Sequence, residues 1–197
     1  MILDTLFILG AYLLGSVSAA ILTCKMLGLP DPRTQGSNNP GATNVLRIGG
    51  KKAAAITLIG DMLKGLLPVL LSRAADLHPT TQALIGVAAF LGHLYPIFFR
   101  FHGGKGVATT MGVLVALSWP VGLSVVAIWL FIAYGLKVSS LAALVSIALA
   151  PVFMFLFEDN QHWLVATIFI AILLIWRHRS NIKQLLQGTE TKIGKRS

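Results

Sequence analysis

Long charge-free intervals, separated by short basic or polar connectors, organise the chain. Residues 5–24, 77–99, 138–157 and 160–176 contain no Asp, Glu, Lys or Arg, and each approaches the length of helix that crosses a bilayer. Residues 53–72 are equally apolar apart from Asp61 and Lys64. The last run, 106–136, is charge-free over 31 residues and interrupted by Ser118-Trp119-Pro120. As one helix it leaves many residues over; as two, each is short.

The distribution of charge decides between five and six crossings in the later part of the chain. The connector 25–52 carries Lys25, Arg33, Arg47, Lys51 and Lys52, and the segment after Trp176 carries Arg177, Arg179, Lys183, Lys192, Lys195 and Arg196. Basic connectors stay on the cytoplasmic side, so an even number of crossings separates these two. Splitting 106–136 at Trp119-Pro120 gives six. The pattern therefore predicts an all-α, polytopic integral membrane protein, a single domain over 1–197 with seven transmembrane helices, two of them short. The N-terminus is expected outside and the C-terminus in the cytoplasm. The outer segments then hold Asp4, Arg73, Asp76, Glu158 and Asp159, while Arg100, Lys105 and Lys137 join the inner ones. The first interval lacks a basic start and a convincing cleavage site, so it reads as a permanent helix.

Composition agrees with that reading. Only 12% of the 197 residues are charged and 55% are hydrophobic, against roughly a quarter charged in ordinary soluble domains. A water-soluble globule and a disordered chain are both excluded. The formal charge of +9 lies in short stretches between apolar runs, which is membrane topology and not a nucleic-acid footprint. The one cysteine, Cys24, excludes an intramolecular disulfide. Acids and histidines do not cluster in a way that suits a metal, and no metal or cofactor is expected.

Polar residues gather in the inner connectors. The first contains Ser37, Asn38, Thr43, Asn44 and Arg47. These are also turn and capping residues, but a connector of about 28 residues is long for so economical a chain, and long ordered loops tend to be functional. The second contains Gly103-Gly104-Lys105-Gly106. Glycines let backbone N–H groups approach an anion and lysine adds a compact charge, which makes a phosphate cradle; a flexible basic turn has the same composition. It is not a Walker A loop, because Gly106 follows Lys105 where that loop needs Ser or Thr. Ser139 and Ser140 form a third short connector, and His178 and Asn181 follow the last apolar run. Asp61 and Lys64, three apart, share one helix face. They read either as an ion pair inside the bundle or as part of a path across it.

Taken together, Gly36-Ser37-Asn38-Asn39-Pro40-Gly41-Ala42-Thr43-Asn44, Gly60-Asp61-Met62-Leu63-Lys64-Gly65, Gly92-His93, His102-Gly103-Gly104-Lys105-Gly106 and Arg177-His178-Arg179-Ser180-Asn181 resemble the bacterial acyl-phosphate:glycerol-3-phosphate acyltransferases, the PlsY family. The resemblance covers nearly the whole chain. It implies transfer of a long-chain acyl group from acyl phosphate to the sn-1 hydroxyl of glycerol 3-phosphate, giving lysophosphatidic acid and inorganic phosphate. This is the first step of phospholipid synthesis, at the cytoplasmic face of a bacterial inner membrane. It implies catalytic roles for Ser37, Arg47, Lys105, His178 and Asn181, and substrate contacts from Asn38, Asn44, Gly103, Gly104, Ser139 and Ser140. Membrane lipid and functional coupling to the enzyme that forms acyl phosphate are the implied partners. No histidine is followed five positions later by Asp, so the H-x4-D acyltransferases give no template. The alternative reading is a transporter of a phosphorylated metabolite, with Asp61 and Lys64 on the path.

Overall fold

Nine α-helices and one 3-10 turn make up the described residues, 1–194, of the computed structural model, with no strand among them. Lys195 and Arg196 lie outside the described residues. In chain order the helices are α1 (Ile2–Gly15), α2 (Ala19–Met26), α3 (Ala42–Ala74), α4 (Pro79–Leu94), α5 (Val107–Leu117), α6 (Trp119–Leu136), α7 (Ser139–Phe157), α8 (Gln161–Arg177) and α9 (Arg179–Leu186). Helices α3, α6 and α7, and α4 together with the 3-10 turn Ile97–Phe99 that extends it, are long and apolar enough to cross a membrane. That makes four spans, or six if the bent pairs α1–α2 and α8–α9 each count as one span.

The 31-residue apolar run is two helices. Ser118, in extended conformation, ends α5 and precedes α6, and Pro120 sits in the first turn of α6, where a missing N–H costs nothing. With 11 residues, α5 is only about 16 Å long. The first interval departs from expectation. Residues 5–24 are not one helix: α1 stops at Gly15 and α2 restarts at Ala19 after a bend of 44°. The Ser18 hydroxyl caps the restart by accepting the Ile21 N–H. The break frees the Val17 carbonyl, which accepts a hydrogen bond from Lys64 Nζ at 2.9 Å.

Helices meet through small residues, as expected where lipid gives no hydrophobic drive to association. A Cβ on Gly15 of α1 would overlap the Ala89 carbonyl of α4, and one on Gly92 of α4 would overlap the Tyr12 carbonyl of α1. The same reciprocal contact joins α3 to α5, Gly65 against Thr109 and Gly112 against Met62. Ala142, Ser146 and Ala150 line the buried side of α7. Phe131, Phe155 and Ile172 stay on the outside, where acyl chains would surround them.

Contacts define the two ends of the bundle. At one, Thr81 bonds Asp4, Arg73 donates to the carbonyls of Ala116 and Leu117, and Arg73 stacks on Trp163. At the other lie the polar connectors and α9. There α3 is broken at Gly50, whose φ of 75° is accessible chiefly to glycine. The break detaches the stretch carrying Asn44 and Arg47 from the long apolar part of α3.

Candidate active site

The first connector is built around one side chain. Asn44 Oδ1 accepts the Ser37 N–H at 2.9 Å, and its Nδ2 donates to the carbonyls of Pro32 and Gln35. A buried amide thereby fixes a loop with no regular structure of its own. Ser37 is presented at the surface of that loop, and Arg47 lies one helical turn beyond Asn44 on α3.

The second connector is pinned from both sides. Gly104 N–H donates to the His93 carbonyl, and Arg177 Nη2 donates to the carbonyls of Gly103 and Gly104 at 3.2 and 3.0 Å. Lys105 then reaches across to Asn181, its Nζ donating to Oδ1. Asn181 Nδ2 in turn donates to Glu190 Oε1 at 2.8 Å, and that oxygen also accepts the Ser140 hydroxyl at 2.6 Å. The segment carrying Glu190 is tied down by Ile193 N–H to the Lys137 carbonyl and by Arg47 Nη2 to the Thr191 carbonyl. Four distant stretches of sequence thus form one polar network.

That network roofs a cavity of about 530 Å³, within the usual range for small-molecule sites. Ser37, Asn44, Arg47, Lys105, Ser139, Ser140, His178 and Asn181 all line it. Asn38 and Gly103 line a neighbouring cavity instead, with Arg33 and His102. Gly104 is packed behind the loop against His93 and Pro40. Below the polar groups the walls turn apolar: Ala54, Leu58 and Met62 of α3, Met111 of α5, Val126 and Leu130 of α6. Leu58 and Leu130 are exposed on the outside of the bundle, so this arm is bordered by the lipid-facing surface.

Positive potential concentrates at the roof. Arg47 Nε is buried and has no hydrogen-bond partner among the described residues. The α5 N-terminus, at Gly106 and Val107, faces the cavity without a side-chain cap, adding the positive end of a helix dipole. Burial, with some help from the Arg177 and Arg47 charges and against the Glu190 carboxylate, pulls Lys105 down to about 8. Burial also lowers His178 to about 4, so its imidazole is neutral at physiological pH. Its Nδ1 lies 2.8 Å from the Leu174 carbonyl. An acceptor there assigns the proton to Nδ1 and leaves Nε2 as a lone pair.

A family model described as glycerol-3-phosphate acyltransferase matches residues 5–188. The chain belongs to that family. A glycerol-3-phosphate acyltransferase of Thioalkalivibrio sulfidiphilus (strain HL-EbGR7) is 53% identical over 197 residues, covering 100% of this chain and 97% of the relative. That of Hydrogenovibrio crunogenus (strain DSM 25203 / XCL-2) is 56% identical over 189 residues, covering 95% and 90%. The crystal structure of PlsY (YgiH), an integral membrane glycerol 3-phosphate acyltransferase in its glycerol 3-phosphate form, superposes with a TM-score of 0.92. It is 39% identical and covers 97% of this chain and 96% of that one. The lysophosphatidic acid form of PlsY gives a TM-score of 0.90 at 38% identity. This glycerol-3-phosphate acyltransferase is therefore an integral membrane enzyme, and inside its bundle Asp61 and Lys64 form an ion pair at 2.9 Å.

Sequence reasoning passed over Glu190. It is a lone acid in a basic tail, and that isolation was the available signal. Its partners, 9 and 50 residues away, are not foreseeable from spacing.

Proposed function

We propose that the enzyme transfers a long-chain acyl group from acyl phosphate to the sn-1 hydroxyl of glycerol 3-phosphate, releasing lysophosphatidic acid and inorganic phosphate. The observation that carries this reading is a cationic roof, Arg47 and Lys105 at the α5 N-terminus, set directly over an apolar arm. Two phosphates need the first and an acyl chain needs the second. The glycerol 3-phosphate and lysophosphatidic acid forms of PlsY suit the same acceptor and product.

Acyl phosphate is a mixed anhydride with a good leaving group, so the protein's task is alignment and charge neutralisation. The acceptor hydroxyl oxygen attacks the acyl carbonyl carbon, the carbon–oxygen bond to phosphate breaks, and the hydroxyl proton leaves on the departing phosphate. Arg47 and Lys105 neutralise the repulsion between the two phosphates. Lys105, fixed by Asn181, and the first amides of α5 face the carbonyl oxygen as it gains charge. Neutral His178 accepts a hydrogen bond from the attacking hydroxyl through Nε2; with so low a proton affinity it aligns the hydroxyl while the leaving phosphate takes the proton. Asn44 holds the Ser37 loop, and Ser139 and Ser140 border the phosphate side. Gly103 and Gly104 act by letting the glycine loop pack closely, and Asn38, in the Ser37 loop, lies on the neighbouring cavity that Gly103 also lines.

Ser37 binds a phosphate oxygen and does not become acylated. Ser37→Ala is expected to lower kcat/KM roughly 10- to 100-fold, the loss of one hydrogen bond to a charged group. Intact-mass analysis of enzyme quenched during turnover should find no acyl adduct; a Ser37 ester would replace direct transfer by a two-step route.

Alkaline pH should switch the enzyme off through Lys105. Its ammonium is the charged form, populated below about 8 and lost above. The substrate phosphate is already a dianion there, with a second pKa near ~6. Consequently kcat/KM for glycerol 3-phosphate should be level near neutrality and fall about tenfold per pH unit above about 8. A profile level to pH 10 would remove Lys105 from the chemistry.

The roof is assigned to the cytoplasmic face of a bacterial inner membrane, with seven crossings and the N-terminus outside, supported by the basic flanks Lys25, Lys51, Lys52 and Arg179 at that end. Functional coupling to the acyl-phosphate-forming enzyme follows from the donor's chemistry. Purified enzyme in liposomes, offered acyl phosphate, acyl-CoA or acyl-carrier protein with glycerol 3-phosphate, tests the donor. Lysophosphatidic acid should form from acyl phosphate alone. Equal use of acyl-CoA would refute the donor assignment.

A further inference from the structure

Asp61, Lys64 and His93 are all buried in the bundle, where any one charge is costly. The ion pair is closed on itself and on the first-helix break: Lys64 Nζ reaches Asp61 Oδ1 and the Val17 carbonyl, each at 2.9 Å. Yet Asp61 and His93 also line the floor of the acyltransferase cavity. The roles assigned above to the roof use neither.

His93 touches the glycine loop at both ends of the segment that does the binding. Its backbone carbonyl accepts the Gly104 N–H at 3.2 Å. Its Nε2 lies so close to the Gly104 Cα that a Cβ there would overlap it. On the other side of the ring, Nδ1 lies 3.2 Å from Thr109 Oγ1, in the first turn of α5, and 3.6 Å from Asp61 Oδ1. One imidazole therefore spans from Asp61 on α3, through α4, to the segment Gly104–Thr109. Between those two contacts stand Lys105 and the leading amides of α5. Both neighbours of Nδ1 can accept a proton's hydrogen bond, which assigns the proton to Nδ1 and turns the unprotonated Nε2 toward the loop.

We infer that His93, steered by Asp61 and Thr109, is a positioning residue that sets the height of Lys105 and the α5 N-terminus over the reacting carbonyl. This rests on the reading of the cavity as the acyl-transfer site. His93 acts on rate through the loop, not through the acyl arm, whose walls belong to other residues. Other groups hold the loop elsewhere: Arg177 the Gly103 and Gly104 carbonyls, Asn181 the tip of Lys105, and Phe90 and Leu94 the packing at Gly106, whereas the side chain packed on the Gly104 Cα is His93.

The test uses the full-length enzyme in liposomes with acyl phosphate and glycerol 3-phosphate. His93→Ala should lower kcat about 100-fold, the scale for a displacement of about 1 Å in a catalytic group. KM for acyl phosphate should change less than threefold. His93→Asn, whose amide can stand where Nδ1 stands and keep the Asp61 and Thr109 contacts, should recover at least tenfold over alanine. Thr109→Val, close in shape and lacking the hydroxyl, should lower kcat about tenfold and guards against a His93 variant that does not fold. The alkaline limb set by Lys105 should move upward in His93→Ala, because a displaced lysine is better hydrated. A purely structural histidine predicts the opposite: activity falling only with the amount of folded protein, the limb unmoved and no rescue by asparagine. Any of those results overturns the inference. Lys105→Ala is run alongside; if it stays active, the fault lies in the site reading, not in His93.

Discussion

Lys105→Ala is expected to reduce kcat/KM for acyl transfer by about a thousandfold while the protein still accumulates in the membrane. One preorganised donor at a developing oxyanion is worth about 10²–10³ in rate, and Lys105 also screens two phosphates from each other. Its setting is what makes it effective. The ammonium is mostly withdrawn from water, held on Asn181 Oδ1, and faced by Arg47 and Arg177 charges with Glu190 as the opposing acid. Removing it leaves the Glu190 carboxylate, one oxygen of which has no hydrogen-bond partner among the described residues, offset over the cavity by Arg47 without the lysine, so anionic substrates would be less attracted as well as unaided. Lys105→Arg should not restore more than a few per cent, since a planar fork does not replace a point donor in a fitted slot. Asn181→Ala should cost less alone and little more in the Lys105→Ala background, because the two act as one unit. Product formation from acyl phosphate in liposomes, normalised to folded enzyme, is the measurement. A loss below tenfold for Lys105→Ala would move the oxyanion contact elsewhere, to the α5 amides alone.

Charge parity and apolar run length were sufficient to foresee a helical membrane bundle and the break before Trp119, because both follow from the bilayer as solvent. They could not foresee the break at Val17. That interval is apolar throughout, and the reason for the bend lies 47 positions away, in a buried lysine that needs a backbone carbonyl. The polar residues lining the cavity were legible as types: Arg47 sits in a connector long for so economical a chain, Lys105 in a glycine-rich one that reads as a phosphate cradle or a basic turn, and Asn181 just after the last apolar run. Their wiring was not. Asn44 looks like a helix cap in sequence, whereas α3 starts at Ala42, preceded by Gly41 with no side-chain cap, and Asn44 instead organises Ser37. Glu190 meets its partners Asn181 and Ser140 only through the fold of the tail.

Gly104→Ala should be nearly as damaging as loss of the lysine, at about 100-fold in kcat, for a reason opposite to the one its sequence suggests. A glycine-rich loop beside a lysine reads as backbone opened toward an anion. In the folded enzyme the Gly104 amide is already used by the His93 carbonyl, and its φ is not in the left-handed region, unlike Gly106 at 88°. What Gly104 supplies is absence of volume. An added Cβ would overlap His93 Nε2 and lie 3.1 Å from the Pro40 carbonyl. Neither neighbour yields easily, since the imidazole is held on Thr109 and Asp61 and Pro40 is buried backbone. The loop must therefore lift, and Lys105 with it. Gly135→Ala is the matched control: it lies in α6 with nothing within 4 Å of the added methyl, and alanine favours helix by about 1 kcal/mol over glycine. Its turnover should stay within twofold and its melting temperature should not fall. If Gly104→Ala keeps more than a third of wild-type turnover, the close packing of that loop on His93 is not what holds the lysine in place.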